Sequence, residues 1–354
     1  MDNNFIDLRD QLILYCEEFN KNKDALTLNK IETIMETIEK NYDNVSEYSL
    51  WYGLSGIGII LMSIPNIMIN GNKINRLYFN VIKAANLKIS NYIRNEDFNN
   101  LDLFRGSIGM IRFLLEYKGE GETILLITLN RLARIITLQN NLDKIFFKTR
   151  KDNQFIDLSI SHGAASYLAI LFYGYENGYK SIDIEQGIGL LFHYIYNQIQ
   201  HHGKVVETCK VGSTSIVIFN KCKYNWCYGS FSVFYLLWKI NLQFGFVNKK
   251  NFTRMLKSEI ESISFNNLNT NLFICHGISG IKLILQLLEE EFPREVSQKK
   301  ELIEEYISKK EVCKYENINR KNCILTGVYS ILLTNIVCEN KNIGSVIYKM
   351  LLLN

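Results

Sequence analysis

Hydrophobic and polar positions divide the chain into two kinds of helical segment that alternate. One kind begins with a glycine, has a second small residue three positions later and is then almost entirely apolar. Such a stretch, with few polar residues on any face, is typical of a helix that is buried on all sides. We therefore predict inner helices after six repeat glycines: Gly53, Gly106, Gly163, Gly229, Gly277 and Gly327.

The other kind of segment has charged residues on one face and apolar residues on the other, which indicates an outer helix. We predict outer helices over residues 73–95, 121–138, 181–199 and 294–310, and another helix pair near 5–19 and 28–42. The alternation predicts an all-α fold, namely an α/α toroid of about six to seven helix pairs in one domain over 1–354. An open α-solenoid is the alternative, although its repeats of about 33 to 47 residues are shorter than the spacing of roughly 50 to 65 residues here.

Two segments interrupt the alternation of helices. Residues 139–160 and 203–224 are rich in β-branched residues, so we predict short rim insertions, the second of them a hairpin. Residues 48–72 carry no charge, and we predict a buried helix with its exit loop rather than a membrane span, because glycine, serine and proline interrupt the stretch. The amino terminus has no secretory signal pattern, so we expect a cytoplasmic protein.

Composition narrows the class of protein. The 354 residues are 47% hydrophobic, which is enough for a large core, and the net charge of +4 is too slight to indicate a nucleic-acid partner. Eight cysteines in a chain of this size without a signal indicate a reducing compartment. In such a compartment cysteines are core residues or metal ligands rather than disulfide partners.

The repeat aligns a set of chemically reactive side chains at the starts of the inner helices. Cys227 and Cys275 each lie two positions before a repeat glycine, and His276 lies one position before. His162 also lies one position before its glycine, and Asp102 lies four before its own. Because the inner helices of a toroid begin at one end, we expect these side chains to converge near its axis.

Two cysteines and a histidine form a ligand set that suits Zn²⁺. Three protein ligands with an open fourth position mark a catalytic rather than a structural zinc site. The sequence leaves open whether Cys222 or His162 adds a fourth ligand. A single buried cysteine is usually inert packing, but two at the same repeat offset favour the metal site. Asp102 is also suited to capping the helix that follows it.

Four short motifs give the chain a resemblance to a known family. In chain order they are D-x-x-x-G at 102–106, S-H-G at 161–163, W-C-Y-G at 226–229 and C-H-G at 275–277. Together they resemble the motifs of the LanC-type lanthionine cyclases, and the resemblance covers nearly the whole chain. It implies a seven-fold α/α toroid that binds one Zn²⁺ through Cys227, Cys275 and His276.

The resemblance also implies candidate catalytic residues. His162 and Asp102 match the acid/base positions of the family, and Tyr228 matches a pocket position beside the first cysteine. Lys223 stands where the family often has arginine, and a lysine weakens any bidentate contact made there. Ser166 replaces a glycine that the family often has, and it keeps the position small.

The activity implied by the resemblance is that of a zinc-dependent lanthionine synthetase. Such an enzyme forms thioether rings by adding cysteine thiols to dehydroalanine or dehydrobutyrine in a dehydrated lanthipeptide precursor, made of leader and core. The implied partners are a dehydratase and an export transporter, in a modification complex that would bring a cytoplasmic cyclase to the membrane. Two alternatives stay open: a relative that adds glutathione to dehydro residues, and a non-catalytic, zinc-stabilised scaffold of a modification complex.

Overall fold

Helices dominate the part of the chain that the computed structural model describes, and the all-α prediction is confirmed. The described residues are 3–41, 47–63, 83, 86–87, 102–117, 122–150, 153–201, 208–211, 216–218, 224–266, 268, 271–309, 323–340 and 345–353. The helices there are α1 Asn3–Asn22, α2 Ala25–Asn41, α3 Leu54–Ser63, α4 Ser107–Glu116, α5 Glu122–Thr137, α6 Asp143–Phe146, α7 Ala164–Glu176, α8 Ile182–His201, α9 Ser230–Phe244, α10 Lys249–Glu261, α11 Ile278–Leu288, α12 Pro293–Lys309, α13 Val328–Glu339 and α14 Val346–Met350. The strands are β1 Phe147–Arg150, β2 Asn153–Asp157, β3 Thr208–Val211 and β4 Ile216–Ile218.

Each of the six predicted inner helices begins at the residue directly after its repeat glycine, as α3, α4, α7, α9, α11 and α13 do. The helices are buried along most of their length; in α7, for example, every residue from Ala164 to Gly174 is buried. No helix in the described ranges is long and apolar enough to cross a membrane. Within the uncharged stretch 48–72, the predicted buried helix is α3, and residues after Ser63 lie outside the described part.

The outer-helix predictions are confirmed wherever the structure describes them. The predicted outer helices 121–138, 181–199 and 294–310 correspond to α5, α8 and α12, and the predicted amino-terminal pair corresponds to α1 and α2. The bounds differ from the predicted ones by a few residues at most. The predicted helix 73–95 lies mostly outside the described residues. One further outer helix, α10, buries Phe252, Leu256 and Ile260 on a single face, and its spacing of four residues is that of an amphipathic helix.

A tight turn precedes each inner helix, and we call the repeat glycine with the four residues before it the glycine turn. In the third repeat the N–H of Gly163 donates to the carbonyl of Ser159 at 3.1 Å, which closes the turn. A Cβ atom on Gly229 would lie under 3.0 Å from the backbone of Asn225. Glycine is therefore required here by the close approach of the backbone rather than by an unusual φ angle.

The second small residue of the repeat lies against the same turn. In the fourth repeat this residue is Ser232, whose hydroxyl donates to the carbonyls of Trp226 and Gly229, both at 2.8 Å. In the fifth repeat it is Gly280, where a Cβ atom would lie under 3.0 Å from the carbonyl of Ile274. The residue at this position is therefore either a glycine, which has no side chain, or a residue whose side chain can hydrogen-bond to the turn.

The chain divides into two compact units, of which the first comprises Met1–Leu129 and Asn335–Leu352. Within it α1 packs on α2, α3 packs on α4, and α14 packs on both α3 and α4. Buried charges are paired: Arg9 contacts Asp10, and Arg112 lies 2.8 Å from Glu116. Such pairs satisfy polar groups that would otherwise be costly to bury.

The second unit, Asn130–Thr334, shows the alternation of inner and outer helices directly. Each inner helix packs on the outer helix that follows it, as α7 does on α8, α9 on α10 and α11 on α12. The inner helix α9 also contacts α7 and α11 on either side, and the outer helices α10 and α12 contact each other. The predicted two-layer arrangement is therefore present in this unit.

The two insertions form one antiparallel sheet in the order β1-β2-β3-β4. The predicted hairpin within 203–224 is confirmed, since β3 pairs with β4. The first insertion is also a hairpin, β1 with β2, and β2 pairs with β3 across more than fifty intervening residues, with Ile156 opposite Cys209. A pairing between segments this far apart leaves no local signal in the sequence.

Candidate metal centre

The three predicted metal ligands lie together in the second unit. One donor atom from each of Cys227, Cys275 and His276 lies within 4.8 Å of the others, and the Cys275 Sγ and His276 Nε2 atoms are 3.9 Å apart. Tetrahedral Zn²⁺ with its usual bond lengths places such atoms about 3.5 to 3.8 Å apart. Both cysteines are buried, at 1% and 5% exposure, whereas His276 is half-buried. The donor set therefore suits a zinc ion, and the separation of the Cys275 and His276 donor atoms is close to that of two donors on one ion.

Backbone hydrogen bonds between successive glycine turns bring the two sulfurs together. We call the residue two before each repeat glycine position −2. The N–H of Cys227 donates to the carbonyl of Cys275 at 3.0 Å, and the N–H of Cys275 donates to the carbonyl of Leu325 at 3.0 Å. All three residues occupy position −2 in their repeats. The turns of the fourth, fifth and sixth repeats are thus joined through equivalent residues, which aligns the side chains at that position.

Large buried residues hold these turns against the inner helices. Trp226 and Ile274, each directly before a cysteine, are fully buried at 0% exposure. Asn225 accepts a hydrogen bond from the N–H of Tyr228 at 2.9 Å, which fixes the turn that carries Cys227. The local fold therefore sets the direction of the sulfur atoms before any ion is considered.

One residue of the site was not predicted from the sequence. Ser161 occupies position −2 of the third repeat and is fully buried, at 0% exposure. Its hydroxyl donates to the carbonyl of Cys227 at 2.9 Å, and the Cys227 thiol donates to the same hydroxyl oxygen at 3.0 Å. The repeat offset was the available signal, because Ser161 has the same offset as both cysteines.

Three aromatic rings lie in a row beside the ligands. The ring of Tyr228 is 5.5 Å from that of His162 and 5.9 Å from that of His276, measured between centroids. The backbone N–H of His162 donates to the Ser159 hydroxyl at 3.1 Å. Two predicted catalytic residues, His162 and Tyr228, are therefore adjacent to the ligand group. Among the described residues no further His, Cys, Asp or Glu belongs to that group.

The environment of Cys227 disfavours a negative charge on its sulfur. Burial raises the pKa of the Cys227 thiol, the neighbouring Cys275 raises it further, and hydrogen bonds with His162 and His276 act in the opposite direction. A buried thiol of this kind becomes a thiolate when a cation lies beside it, because the positive charge replaces the solvation that was lost. A metal ion bound by the three donors would supply that charge.

Asp102 lies in the first unit, where it closes a glycine turn. Its carboxylate accepts hydrogen bonds from the N–H groups of Phe104 at 2.7 Å and Arg105 at 2.8 Å. The N-cap of α4 is Gly106, which makes no side-chain capping bond, so the suggested helix-capping role of Asp102 is replaced by a role in the turn before the helix. Asn225 has the same repeat offset and likewise accepts a backbone N–H. The catalytic role of Asp102 stays a prediction.

Lys223 and Cys222 both lie outside the described residues. The predicted catalytic role of Lys223, and the suggested role of Cys222 as a fourth ligand, therefore stay predictions.

Fold and site together define a class of helical protein in which turns before inner helices carry a Cys–Cys–His group that could hold a metal ion. The family model described as lanthionine synthetase C-like protein matches residues 12–351, so the chain belongs to this family. Among solved structures it is similar to nisin cyclase, with a TM-score of 0.73 and 17% sequence identity over 97% of this chain and 89% of the other. This similarity shows that the fold class is the α/α toroid rather than the open solenoid. No curated protein matches the chain.

Proposed function

We propose that this protein is a zinc-dependent peptide cyclase that forms lanthionine or methyllanthionine rings. It would add cysteine thiols of a dehydrated precursor peptide to dehydroalanine or dehydrobutyrine in the same peptide. The observation that carries the proposal is the close group of Cys227, Cys275 and His276 donor atoms within a chain of the lanthionine synthetase C-like family. A dehydratase and an export transporter stay predicted partners, and the cytoplasmic location stays a prediction.

Cys227, Cys275 and His276 would hold the ion and leave its fourth position for a substrate sulfur. Zinc supplies one kind of chemistry there: it lowers the pKa of a bound thiol, so that the thiol is deprotonated near neutral pH. Two protein thiolates and a neutral imidazole would balance the charge of a divalent ion held there. The donor set therefore leaves electron density on an incoming thiolate, which must remain nucleophilic to attack the β-carbon of the dehydro residue.

His162 is proposed as the acid that completes the addition. When sulfur bonds to the β-carbon, the electron pair of the carbon–carbon double bond moves towards the α-carbon and its carbonyl, and a proton must arrive there. Histidine, with an ordinary pKa of about 6.5, is suited to giving and taking a proton at neutral pH. The half-buried His162 ring lies beside Tyr228, next to the ligand group, where a substrate bound through its sulfur would be in reach.

Tyr228 is proposed to orient the two imidazoles. Its ring lies between those of His162 and His276, at 5.5 and 5.9 Å, so it separates the proposed acid from the proposed ligand. Such a spacer keeps the His162 ring available to substrate while His276 keeps its direction towards the sulfurs. This arrangement favours an enzyme over a scaffold whose metal only stabilises the fold.

The proposal is tested with purified protein and a synthetic peptide that contains a dehydroalanine several residues before a cysteine. Ring formation leaves the mass unchanged and removes the free thiol, so mass spectrometry after thiol alkylation measures it. We expect zinc-loaded protein to consume the thiol faster than buffer with free zinc does. A parallel reaction of the same peptide without its cysteine, plus glutathione, tests the alternative substrate. A glutathione adduct there, with no ring in the first reaction, would replace the cyclase with a glutathione-adding enzyme.

A further inference from the structure

The Ser161 hydroxyl lies between two atoms of Cys227. It contacts the carbonyl oxygen at 2.9 Å and the sulfur at 3.0 Å, and the side chain has no exposed surface. The Ser159 hydroxyl lies 3.3 Å from it and accepts the N–H of His162 at 3.1 Å. A short chain of hydroxyl groups therefore connects the turn that carries His162 with the sulfur of a proposed ligand.

The direction of the hydrogen bond at the sulfur depends on what the sulfur carries. A thiol can donate to the Ser161 oxygen, but a metal-bound thiolate has no proton to donate. At the same 3.0 Å separation the hydroxyl must then be the donor. Because the Ser161 hydroxyl has a single proton, it then turns from the Cys227 carbonyl, to which it donates at 2.9 Å, to the sulfur. The Ser159 hydroxyl lies close enough to donate to the Ser161 oxygen in turn.

A hydrogen bond to a ligand sulfur affects the metal as well as the sulfur. The donor withdraws electron density from the thiolate and fixes its direction. Removing a hydrogen-bond partner of a metal ligand commonly lowers the affinity for the metal by about tenfold to hundredfold. In the proposed reaction, Cys227 would hold the same ion as the substrate sulfur. The electron donation of Cys227 therefore influences how much density the substrate sulfur retains.

We propose that Ser161 is a positioning residue of the metal centre, which donates a hydrogen bond to the Cys227 thiolate and thereby sets its direction and its electron donation to the ion. The inference rests on the proposed zinc function. Its second support is the repeat itself: Ser161 occupies position −2, so the fold places its hydroxyl beside Cys227 just as it places Cys227 beside Cys275.

A purely structural role is the competing explanation, since the bond to the Cys227 carbonyl also joins two turns. Ser232 provides a matched control for that role. It is equally buried, at 0% exposure, and its hydroxyl donates to the carbonyls of Trp226 and Gly229 rather than contacting a ligand sulfur. Removing either hydroxyl costs buried hydrogen bonds to turn carbonyls, whereas only Ser161 contacts a ligand sulfur.

The experiment compares Ser161→Ala, Ser161→Thr and Ser232→Ala in the full-length protein loaded with Co²⁺ or Zn²⁺. The absorption bands that arise from charge transfer between thiolate and Co²⁺ report the electron density on the ligand sulfurs. Competition with a chromophoric chelator reports the affinity for Zn²⁺. Thermal unfolding of each variant shows whether it is folded, and removal of one oxygen atom in Ser161→Ala makes a folded protein the expected result.

We expect Ser161→Ala to shift the charge-transfer bands to longer wavelength and to lower zinc affinity about tenfold to hundredfold. Ser161→Thr keeps the hydroxyl, so its bands and its zinc affinity should match those of the unaltered protein. Ser232→Ala should also leave the bands and the zinc affinity unchanged, even where it lowers the unfolding temperature. Equal bands and equal affinity in Ser161→Ala and the unaltered protein would overturn the inference and leave the zinc site standing. Absence of any thiolate charge-transfer band in the unaltered protein would overturn the zinc function, and this inference with it.

Discussion

The glycine turn is built alike in the two compact units but carries different side chains at position −2. In the first unit Trp51 donates its N–H to the carbonyl of Phe104 at 3.4 Å, and the two rings stack with centroids 5.8 Å apart. In the second unit Cys227 and Cys275 make the equivalent backbone bond at 3.0 Å, and their sulfurs face each other. The backbone is therefore a common support, and the residue at position −2 decides whether a turn contributes packing or chemistry.

The comparison also separates what stabilises the fold from what would bind metal. A buried neutral cysteine behaves as a small hydrophobic residue, so Cys227 and Cys275 fit their turns without an ion. The turns themselves are closed by backbone hydrogen bonds and by the buried residues that precede the cysteines. Changes to the turn backbone should therefore affect folding and metal together, whereas changes to the sulfurs should affect metal with little effect on folding.

The largest effect is expected from breaking the turn itself. Gly229→Ala would place a Cβ atom under 3.0 Å from the backbone of Asn225, so the turn that carries Cys227 must open. We expect a loss of about 4 kcal/mol in the free energy of unfolding, measured with urea, together with loss of bound zinc. Gly189→Ala is the matched control: its Cβ atom meets nothing closer than 3.6 Å, within a helix where alanine is favoured over glycine. Similar unfolding curves for the two variants would contradict the steric argument.

Replacing a residue at position −2 with alanine, once in each unit, tests the comparison between the two units directly. Phe104→Ala removes a buried aromatic ring, so we expect a loss of about 3 kcal/mol in the free energy of unfolding with zinc binding retained. Cys275→Ala removes one small buried group, so we expect a loss of only about 1 kcal/mol, measured without added zinc, but no bound zinc and no cyclisation. Metal analysis and urea unfolding of both variants check the contrast. Full zinc content in Cys275→Ala would contradict the ligand assignment.

Local patterns made most of the fold and the ligands predictable. Each inner helix begins with a glycine and an apolar run, and Cys227, Cys275 and His276 are chemically distinctive residues at repeated offsets. Ser161 has the same offset, but serine is an ordinary turn residue, and its relevance comes only from a sulfur 3.0 Å away. The pairing of β2 with β3 was missed for a similar reason, because a contact between distant segments leaves no periodic pattern. What depends on a single long-range contact could not be predicted.

A smaller effect, on the reaction rate alone, is expected from replacing His162, the residue directly before the glycine of the third repeat. His162→Ala removes the proposed acid but none of the three ligands, so we expect full zinc content and a cyclisation rate lower by about 10³-fold. His193→Ala serves as the control, because this exposed histidine packs against Phe246 on an outer helix. Thiol consumption after rapid mixing measures both variants. Loss of zinc from His162→Ala would instead indicate that His162 is a ligand.

The smallest effect on stability is expected at Asp102 in the first unit, which closes a turn and is also a predicted catalytic residue. Asp102→Asn keeps an oxygen that can accept the N–H groups of Phe104 and Arg105, as the amide of Asn225 accepts a backbone N–H in its own turn. We therefore expect the free energy of unfolding to change by less than about 0.5 kcal/mol. An amide cannot take up a proton as a carboxylate does, so if Asp102 acts as a base the cyclisation rate should fall by about 10²-fold. Urea unfolding and thiol consumption on the same preparation separate the two roles, and an unchanged rate would assign Asp102 to the turn alone.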